Sequence, residues 1–188
     1  MEECGVIHGR FQVLHLKHME YLMEAKKRCK ILIIGISNPD SSYVCQSEND
    51  RNRSKKVNNP FTYFERYEMI RDAMMEFHIP REEFEIVPFP INRPECIFQY
   101  APSDVTYYMS ICDKWGEEKY EILKGLGLHV EILWNKPTEE KGITATEVRN
   151  LIIEGKEWGH MVPKSVYTYI TEHHLDDRIK KLVLEKEI

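Results

Sequence analysis

No run of residues in this sequence is long and apolar enough to cross a membrane, and no secretory signal precedes its first apolar segment. Basic residues are not in excess, because 26 Lys and Arg face 31 Asp and Glu, for a net charge of −5. Such a chain has no broad positive field to attract duplex nucleic acid. We therefore expect a cytoplasmic protein whose partners are neither nucleic acids nor membranes.

The cysteines lack the spacing of a zinc site or of a disulfide framework. There are five, an odd number, and no two are arranged as CxxC; they stand at Cys4, Cys29, Cys45, Cys96 and Cys112. This usage is typical of reduced, mostly buried thiols, so no protein-bound metal is expected.

What the sequence does contain is an alternation of apolar strands and amphipathic helices. Strands are predicted at 4–7, 30–36, 84–89, 105–109 and 130–134, and helices at 16–25, 62–77, 114–126, 146–154 and 164–173. This order predicts an α/β fold with an open parallel sheet, right-handed crossovers and helices on both faces. Ligands are then expected at the carboxyl ends of the strands. At this length we expect one domain over 1–188, with a helical segment from about 144 onward.

The loop 9–12 joins the first strand to the first helix, and His15 and His18 follow it. A glycine loop before a helix directs free backbone N–H groups and the positive end of the helix dipole at one point, which suits a phosphate. The N–H groups of Phe11 and Gln12, beside Gly9, are expected to form this cradle. His15 and His18, both placed in the first turn, would donate to phosphoryl oxygens. Taken alone, the spacing also fits two unrelated surface histidines.

A second candidate loop, 142–149, opens another amphipathic helix near the other end of the chain. Thr144 or Thr146 is expected to cap this helix, and both hydroxyls are candidates for binding a triphosphate. Arg149, one turn further on, would reach an anion held at the helix start.

In this order the two loops resemble the signatures of the nucleotidylyltransferase superfamily, a GRFxPxHxGH-like loop and an ISxTxxR-like loop. More of the chain resembles the archaeal-type nicotinamide-nucleotide adenylyltransferases. Residues 33–37 are similar to their second strand and the loop beyond it, 59–70 to their NPFTxxERxxMI helix, and 155–163 to their GExW…VP segment. The resemblance implies a Rossmann-like sheet.

Three positions depart from that pattern. Val13 stands where the family has proline, Lys17 where it has glycine, and Pro90 where it has an acidic residue before Ile-Asn-Arg. Glycine would let a phosphate approach the helix backbone closely. Lys17 either contacts a β- or γ-phosphate or points to solvent.

The resemblance also implies a site for the acceptor. Phe98 falls where the archaeal-type enzymes have a tryptophan that stacks on nicotinamide, and Asn92 and Ser37 are further candidate acceptor-binding residues. A ring at Phe98 either stacks on a flat acceptor or belongs to the core. Both alternatives fit the sequence.

The implied reaction is adenylyl transfer from ATP to nicotinamide mononucleotide, or to its acid form, with release of pyrophosphate. His15 and His18 would bind α- and β-phosphate oxygens, Arg149 the β- and γ-oxygens, and Arg10 the phosphates or the acceptor. Because the attacking phosphate is already an anion, catalysis reduces to positioning and charge neutralisation. Mg²⁺ would bridge phosphate oxygens and need few protein ligands.

Two other functions fit the same residues. One is a cytidylyltransferase acting on a phosphorylated alcohol, and the other is a nucleotide-binding regulator without turnover. The resemblance also implies a homo-oligomer.

The polar segment 38–59 is too long for an ordinary connection in a compact domain. It is either a solvated insertion or a lid whose basic residues close on the triphosphate, the candidates being Arg51, Arg53, Lys55 and Lys56.

Overall fold

The computed structural model describes residues 1–40, 56–135 and 142–184. Its strands are β1 (Glu2–Gly9), β2 (Cys29–Ser37), β3 (Phe84–Phe89), β4 (Thr106–Ile111) and β5 (His129–Asn135). All pair in parallel, in the order β3-β2-β1-β4-β5. The chain runs outward from β1 in one direction and from β4 in the other, so a crevice opens at the carboxyl ends of these two strands. The predicted α/β fold is confirmed.

Helices cover both faces of this sheet. They are α1 (Leu16–Lys26), α2 (Tyr63–Glu76), α3 (Lys114–Gly125), α4 (Ala145–Ile153), α5 (Lys164–Glu172) and α6 (Leu175–Leu184). Thr62 and Glu65 form a capping box at the start of α2. Gly127, at φ 77°, follows the end of α3 and supplies the left-handed backbone that commonly ends a helix.

Two apolar clusters form the core, one on each side of the sheet. Ile7 of β1 belongs to the cluster beneath α1, α2 and α4–α6. Val6 belongs to the cluster shared with α3 and the 3-10 helix Pro94–Gln99. Because successive residues of a strand point to opposite faces, β1 contributes to both clusters.

Helix α6 is absent from the sequence prediction, which ends its last helix at His173. Its charged run, 176–178 and 180–181, hides a narrow apolar stripe of Leu175 and Ile179, both fully buried. Tertiary contacts hold it in place, since Arg178 pairs with Glu65 of α2 at 2.7 Å. No helix among the described ranges has the length and apolar character needed to span a bilayer.

Gly35 of β2 leaves room for the ring of Phe89, the last residue of β3. A Cβ on Gly35 would lie 2.6–2.8 Å from carbons of Phe89. Gly35→Ala should therefore lower the free energy of unfolding by about 1–3 kcal/mol through overpacking. Gly125, the last residue of α3, has nothing within 4 Å of the same position.

Gly125→Ala is thus the matched control and should raise the free energy of unfolding by up to about 1 kcal/mol. Urea unfolding of both variants measures the difference. Equal stability of the two would contradict the close packing of Phe89 on β2.

Candidate active site

Gly9 ends β1, and the loop that follows folds back over it. A Cβ on Gly9 would lie 2.7 Å from Cζ of Phe11. Phe11 adopts a φ of 53°, and its buried ring makes an edge contact with His18 at 5.2 Å between centroids. The ring of Phe11 therefore packs between Gly9 and His18 of α1, and only glycine fits beside it at position 9.

The side chain of Gln12 fastens the loop to the segment before α2. Its Nε2 donates to the carbonyl of Phe61 at 3.0 Å, and its Oε1 accepts from the N–H of Phe61 at 2.9 Å. Both groups are buried. Gln12 was predicted to act through its backbone N–H, and the structure adds this paired side-chain contact.

His15 is the N-cap of α1, so its predicted place in the first turn is wrong. Its Nδ1 accepts from the N–H of His18 at 3.3 Å, and the two imidazoles stack at 3.7 Å between centroids. Because Nδ1 accepts, the proton of a neutral His15 resides on Nε2. Burial lowers the pKa of His15 to about 4, so the ring is neutral at pH 7. His15 can thus donate through Nε2–H at the positive end of α1.

Arg149 joins the two signature loops. Its buried guanidinium donates to the carbonyl of Gln12, to Oδ1 of Asn58 at 3.0 Å and to Oγ1 of Thr146 at 3.1 Å. Burial lowers the pKa of Arg149 to about 10, which leaves it cationic at neutral pH. These bonds use three of its five N–H donors. Asn58, at the end of the 3-10 helix Lys56–Asn58, is a site residue that the sequence does not single out.

Arg66 of α2 is a second buried cation, and sequence reasoning gave it no role. Its side chain, 1% exposed, donates to the carbonyls of Thr62, Arg10, Ser37 and Asn38 at 2.7–3.1 Å. Burial, followed by the nearby charge of Arg10, lowers the pKa of Arg66 to about 10. A positive charge is therefore fixed beneath the ends of β1 and β2.

The start of α4 decides between the two candidate capping threonines. Thr144 is the N-cap, since its Oγ1 accepts from the N–H of Glu147 at 3.2 Å. Thr146 lies inside the helix and accepts from Arg149. Nearby, Lys17 pairs with Glu20 at 2.7 Å.

The stem of Lys17 also links the two loops. Its Cε lies 3.0 Å from where a Cβ on Gly142 would be, and Gly142 has a φ of 69°. The lysine that replaces the family's glycine therefore packs on the second loop. Its ammonium faces Glu20 at the surface.

The predicted acceptor residues follow β2 and β3. Asn92 donates through Nδ2 to Oδ1 of Asn38 at 3.1 Å, and the carbonyl of Ser37 accepts from Arg66. Phe98 is 45% exposed on the 3-10 helix Pro94–Gln99, so the alternative of a core phenylalanine is wrong. Its ring is accessible to a flat ligand.

No group of three or more His, Cys, Asp or Glu close enough to hold a metal ion occurs in the described part of the chain. Cys4, Cys29 and Cys96 are free thiols, and burial raises the pKa of Cys29 to about 11. Of the predicted lid, Arg51, Arg53 and Lys55 lie outside the described residues, and Lys56 is exposed.

The lowered pKa of His15 makes stability depend on pH. Between about 4 and its usual pKa of 6.5, His15 binds protons in the unfolded chain but not in the folded one. The free energy of unfolding should therefore fall as the pH falls through this window. His15→Asn keeps a capping oxygen and should reduce that slope by up to about 1.4 kcal/mol per pH unit.

Urea unfolding at several pH values from 4 to 7 measures these slopes. His160→Asn, at an exposed histidine, is the control for loss of an imidazole. A His15→Asn slope identical to that of the wild type would refute the buried neutral cap.

Comparison with known proteins agrees with this geometry. The model of the Cytidylyltransferase-like family matches residues 6–151, which is more than half of the chain. The phosphonoformate cytidylyltransferase of Streptomyces viridochromogenes is 40% identical over 176 residues, covering 94% of this chain and 95% of that one. The nicotinamide-nucleotide adenylyltransferase of Saccharolobus solfataricus is 30% identical over 179 residues, covering 95% and 96%.

Among solved structures, a bifunctional NMN adenylyltransferase/ADP ribose pyrophosphatase from Francisella tularensis matches with a TM-score of 0.70 at 19% identity. It covers all of this chain, which spans about half (54%) of that protein, and it supports the fold alone. The family match, the relatives and the two joined loops lead to one conclusion: the chain belongs to the Cytidylyltransferase-like family and is a nucleotidylyltransferase.

Proposed function

We propose that this protein transfers the cytidylyl group of CTP to a small acidic phosphonate or phosphate and releases pyrophosphate. The observation that carries nucleotidyl transfer is the joint placement of His15, His18 and Arg149 around the N-terminus of α1. The choice of CTP and of a small acceptor is supported by the 40% identity to phosphonoformate cytidylyltransferase over nearly the whole of both chains. The adenylyltransferase relative reaches 30%.

The chemistry needs no side-chain nucleophile. An acceptor oxyanion attacks the α-phosphorus in line, a new P–O bond forms, and the bond to the β-phosphate oxygen breaks with its electron pair leaving on pyrophosphate. No proton must be removed, because the attacking oxygen is already anionic. His15 and His18 would donate to oxygens that gain negative charge, and Arg149 would offset charge on the leaving group. Arg10 lies in the loop after β1, and Lys17 lies in the first turn of α1.

Magnesium fits this arrangement without a dedicated protein cage. Mg²⁺ takes oxygen ligands, keeps several waters and is commonly held through substrate phosphates. In the described residues no acidic cluster competes for it. Mg²⁺ held mainly by the substrate would neutralise part of the phosphate charge, while the chain itself positions the triphosphate.

A second candidate function is adenylyl transfer from ATP to a nicotinamide-type mononucleotide. One observation favours it: the ring of Phe98 is exposed on the 3-10 helix Pro94–Gln99, in the segment after β3 that would receive a flat base. Against it stand the departures at Val13, Lys17 and Pro90 from the adenylyltransferase pattern.

Pyrophosphate release over a matrix of substrates separates these functions. The matrix pairs CTP, ATP, UTP and GTP with phosphonoformate, phosphorylated alcohols and nicotinamide mononucleotide, each with Mg²⁺. We expect the highest kcat/KM for CTP with a small acidic phosphonate or phosphate. Preference for ATP with the mononucleotide would support the second candidate, and triphosphate binding without any release would support a regulator.

His18→Ala ties this activity to the site. It should lower kcat on the order of a hundredfold or more with every productive pair, because its hydrogen bond strengthens as charge develops on the leaving group. His129→Ala, at an exposed histidine at the start of β5, is the control. A His18→Ala variant with near-wild-type turnover would remove His18 from the mechanism.

Phe98→Ala tests the nature of the acceptor. A stacked ring contributes about 1 kcal/mol or more beyond the effect of the area it buries. The KM of an acceptor with a flat base should therefore rise about tenfold or more. A small phosphonate has no ring to stack, and we expect its KM to stay within about twofold. Tyr100→Ala removes a neighbouring exposed aromatic as the control.

The melting temperature of each variant is measured as well, because truncation of a half-exposed ring should lower stability only slightly. Phe98→Trp sharpens the comparison, because it restores the residue of the archaeal-type enzymes. A clear rise in the KM of the small acceptor in Phe98→Ala, with Tyr100→Ala unchanged, would count against a ringless acceptor.

A further inference from the structure

The imidazole of His8 is buried near the carboxyl end of β1, and the chemistry described so far does not use it. The side chain is 3% exposed and stacks on Phe89 with 4.5 Å between centroids and 11° between planes. Within the described ranges, neither Nδ1 nor Nε2 has a hydrogen-bond partner. Buried polar side chains are nearly always hydrogen-bonded, so an imidazole in this state points to a ligand group that completes it.

Because side chains alternate between the two faces of β1, His8 points away from the loop 9–12, which is proposed to bind the triphosphate. Gly9 contacts the ring of Phe11, which lies in the cluster beneath α1. His8 points to the other face, like Val6, whose cluster is shared with α3 and the 3-10 helix Pro94–Gln99. The last two residues of β1 thus face opposite sides of the sheet at the crevice between β1 and β4.

Packing connects His8 to the segment predicted to bind the acceptor. Phe89, on which His8 stacks, shares a buried cluster with Ile91 and Ile97. These two residues immediately precede Asn92 and Phe98 in the sequence. The imidazole therefore packs on the same buried cluster that supports the segment carrying the candidate acceptor residues.

The electrostatics suit an anionic acceptor. Burial and the positive charge of Lys119 on α3 lower the pKa of His8, so the ring is neutral at pH 7. A neutral imidazole offers one N–H donor and one acceptor nitrogen. It can bind an oxyanion without a second buried charge, and the nearby ammonium of Lys119 adds a positive potential.

We propose that His8 is a specificity-determining residue that binds the acceptor, donating its imidazole N–H to an oxygen of a small acidic phosphonate or phosphate. This inference rests on the proposed nucleotidyl transfer and adds a residue to its acceptor half. The bond is made in the ground state, so it sets the affinity for the acceptor and leaves the triphosphate site unchanged.

Two substitutions at His8 test this role against simple packing. His8→Phe keeps the ring stacked on Phe89 and removes the N–H, and His8→Gln keeps a donor. We expect His8→Phe to raise the KM of the acceptor at least tenfold, to leave the KM of CTP within twofold, and to preserve or raise the melting temperature. His8→Gln should recover part of the lost affinity. His129→Phe is the matched control, at an exposed histidine of β5.

A binding measurement separates failure of this inference from failure of the proposed function. Imidazole NMR signals of the ¹⁵N-histidine-labelled protein are recorded with CTP present and phosphonoformate as the probe, and the signal of His8 is assigned as the one missing in His8→Phe. Binding of the probe should shift it. The same titration with nicotinamide mononucleotide provides the comparison.

Each result decides the role of His8. If the wild type releases pyrophosphate but His8→Phe leaves the acceptor KM unchanged, or raises the KM of CTP equally, His8 is a packing residue and the inference falls alone. If the wild type releases none from any substrate pair, the proposed function falls. In that case a shift of the His8 signal with the probe still supports an oxyanion site, and no shift at millimolar probe overturns it.

Discussion

The guanidinium of Arg66 donates to four main-chain carbonyls, and these belong to the loop after β1, the end of β2 and the start of α2. A buried cation without an acidic hydrogen-bond partner costs free energy, and bonds of a charged donor, each contributing roughly 1.5–3 kcal/mol, offset that cost. The three segments are thereby held at one point. The loop 9–12 is anchored to α2 and β2 by this contact, because the carbonyl of Arg10 is one of its acceptors.

Arg149, also a buried cation, makes a similar contact with the same loop through the carbonyl of Gln12. It joins the carbonyl of Gln12 to Asn58 and Thr146, while the amide of Gln12 pairs with the backbone of Phe61. Two positive charges thus stand close to the N-terminus of α1, whose dipole has the same sign there. In the proposed function these fixed charges would preorganise the site for a triphosphate, whose binding would offset the charge of the two guanidinium groups.

The sequence predicted the sheet well, because alternating apolar strands and amphipathic helices leave a strong periodic signal. It does not distinguish a capping imidazole from one inside the first turn, so the N-cap role of His15 is visible only in the structure. The apolar stripe of α6 consists of only Leu175 and Ile179 among charged residues, so the sequence does not reveal this helix. Arg66 did leave a signal: it lies on the buried face of α2, three and four residues before Met69 and Ile70. A charged residue on an apolar stripe marks a position where the backbone has carbonyls to satisfy. Contacts such as that of Gln12 with Phe61 join positions 49 apart and leave no local pattern.

The two faces of β1 have an evolutionary consequence. Gly9 and His8 are neighbours in sequence, yet Gly9 adjoins the ring of Phe11 on one face of the sheet and His8 stacks on Phe89 on the other. In the proposed function, substitutions on the second face would change which acceptor is used without moving the groups that bind the triphosphate. The separation of the two sites would then be set by the pleat of a central strand. Such a scaffold can acquire new acceptors by small steps, each compatible with a working catalyst.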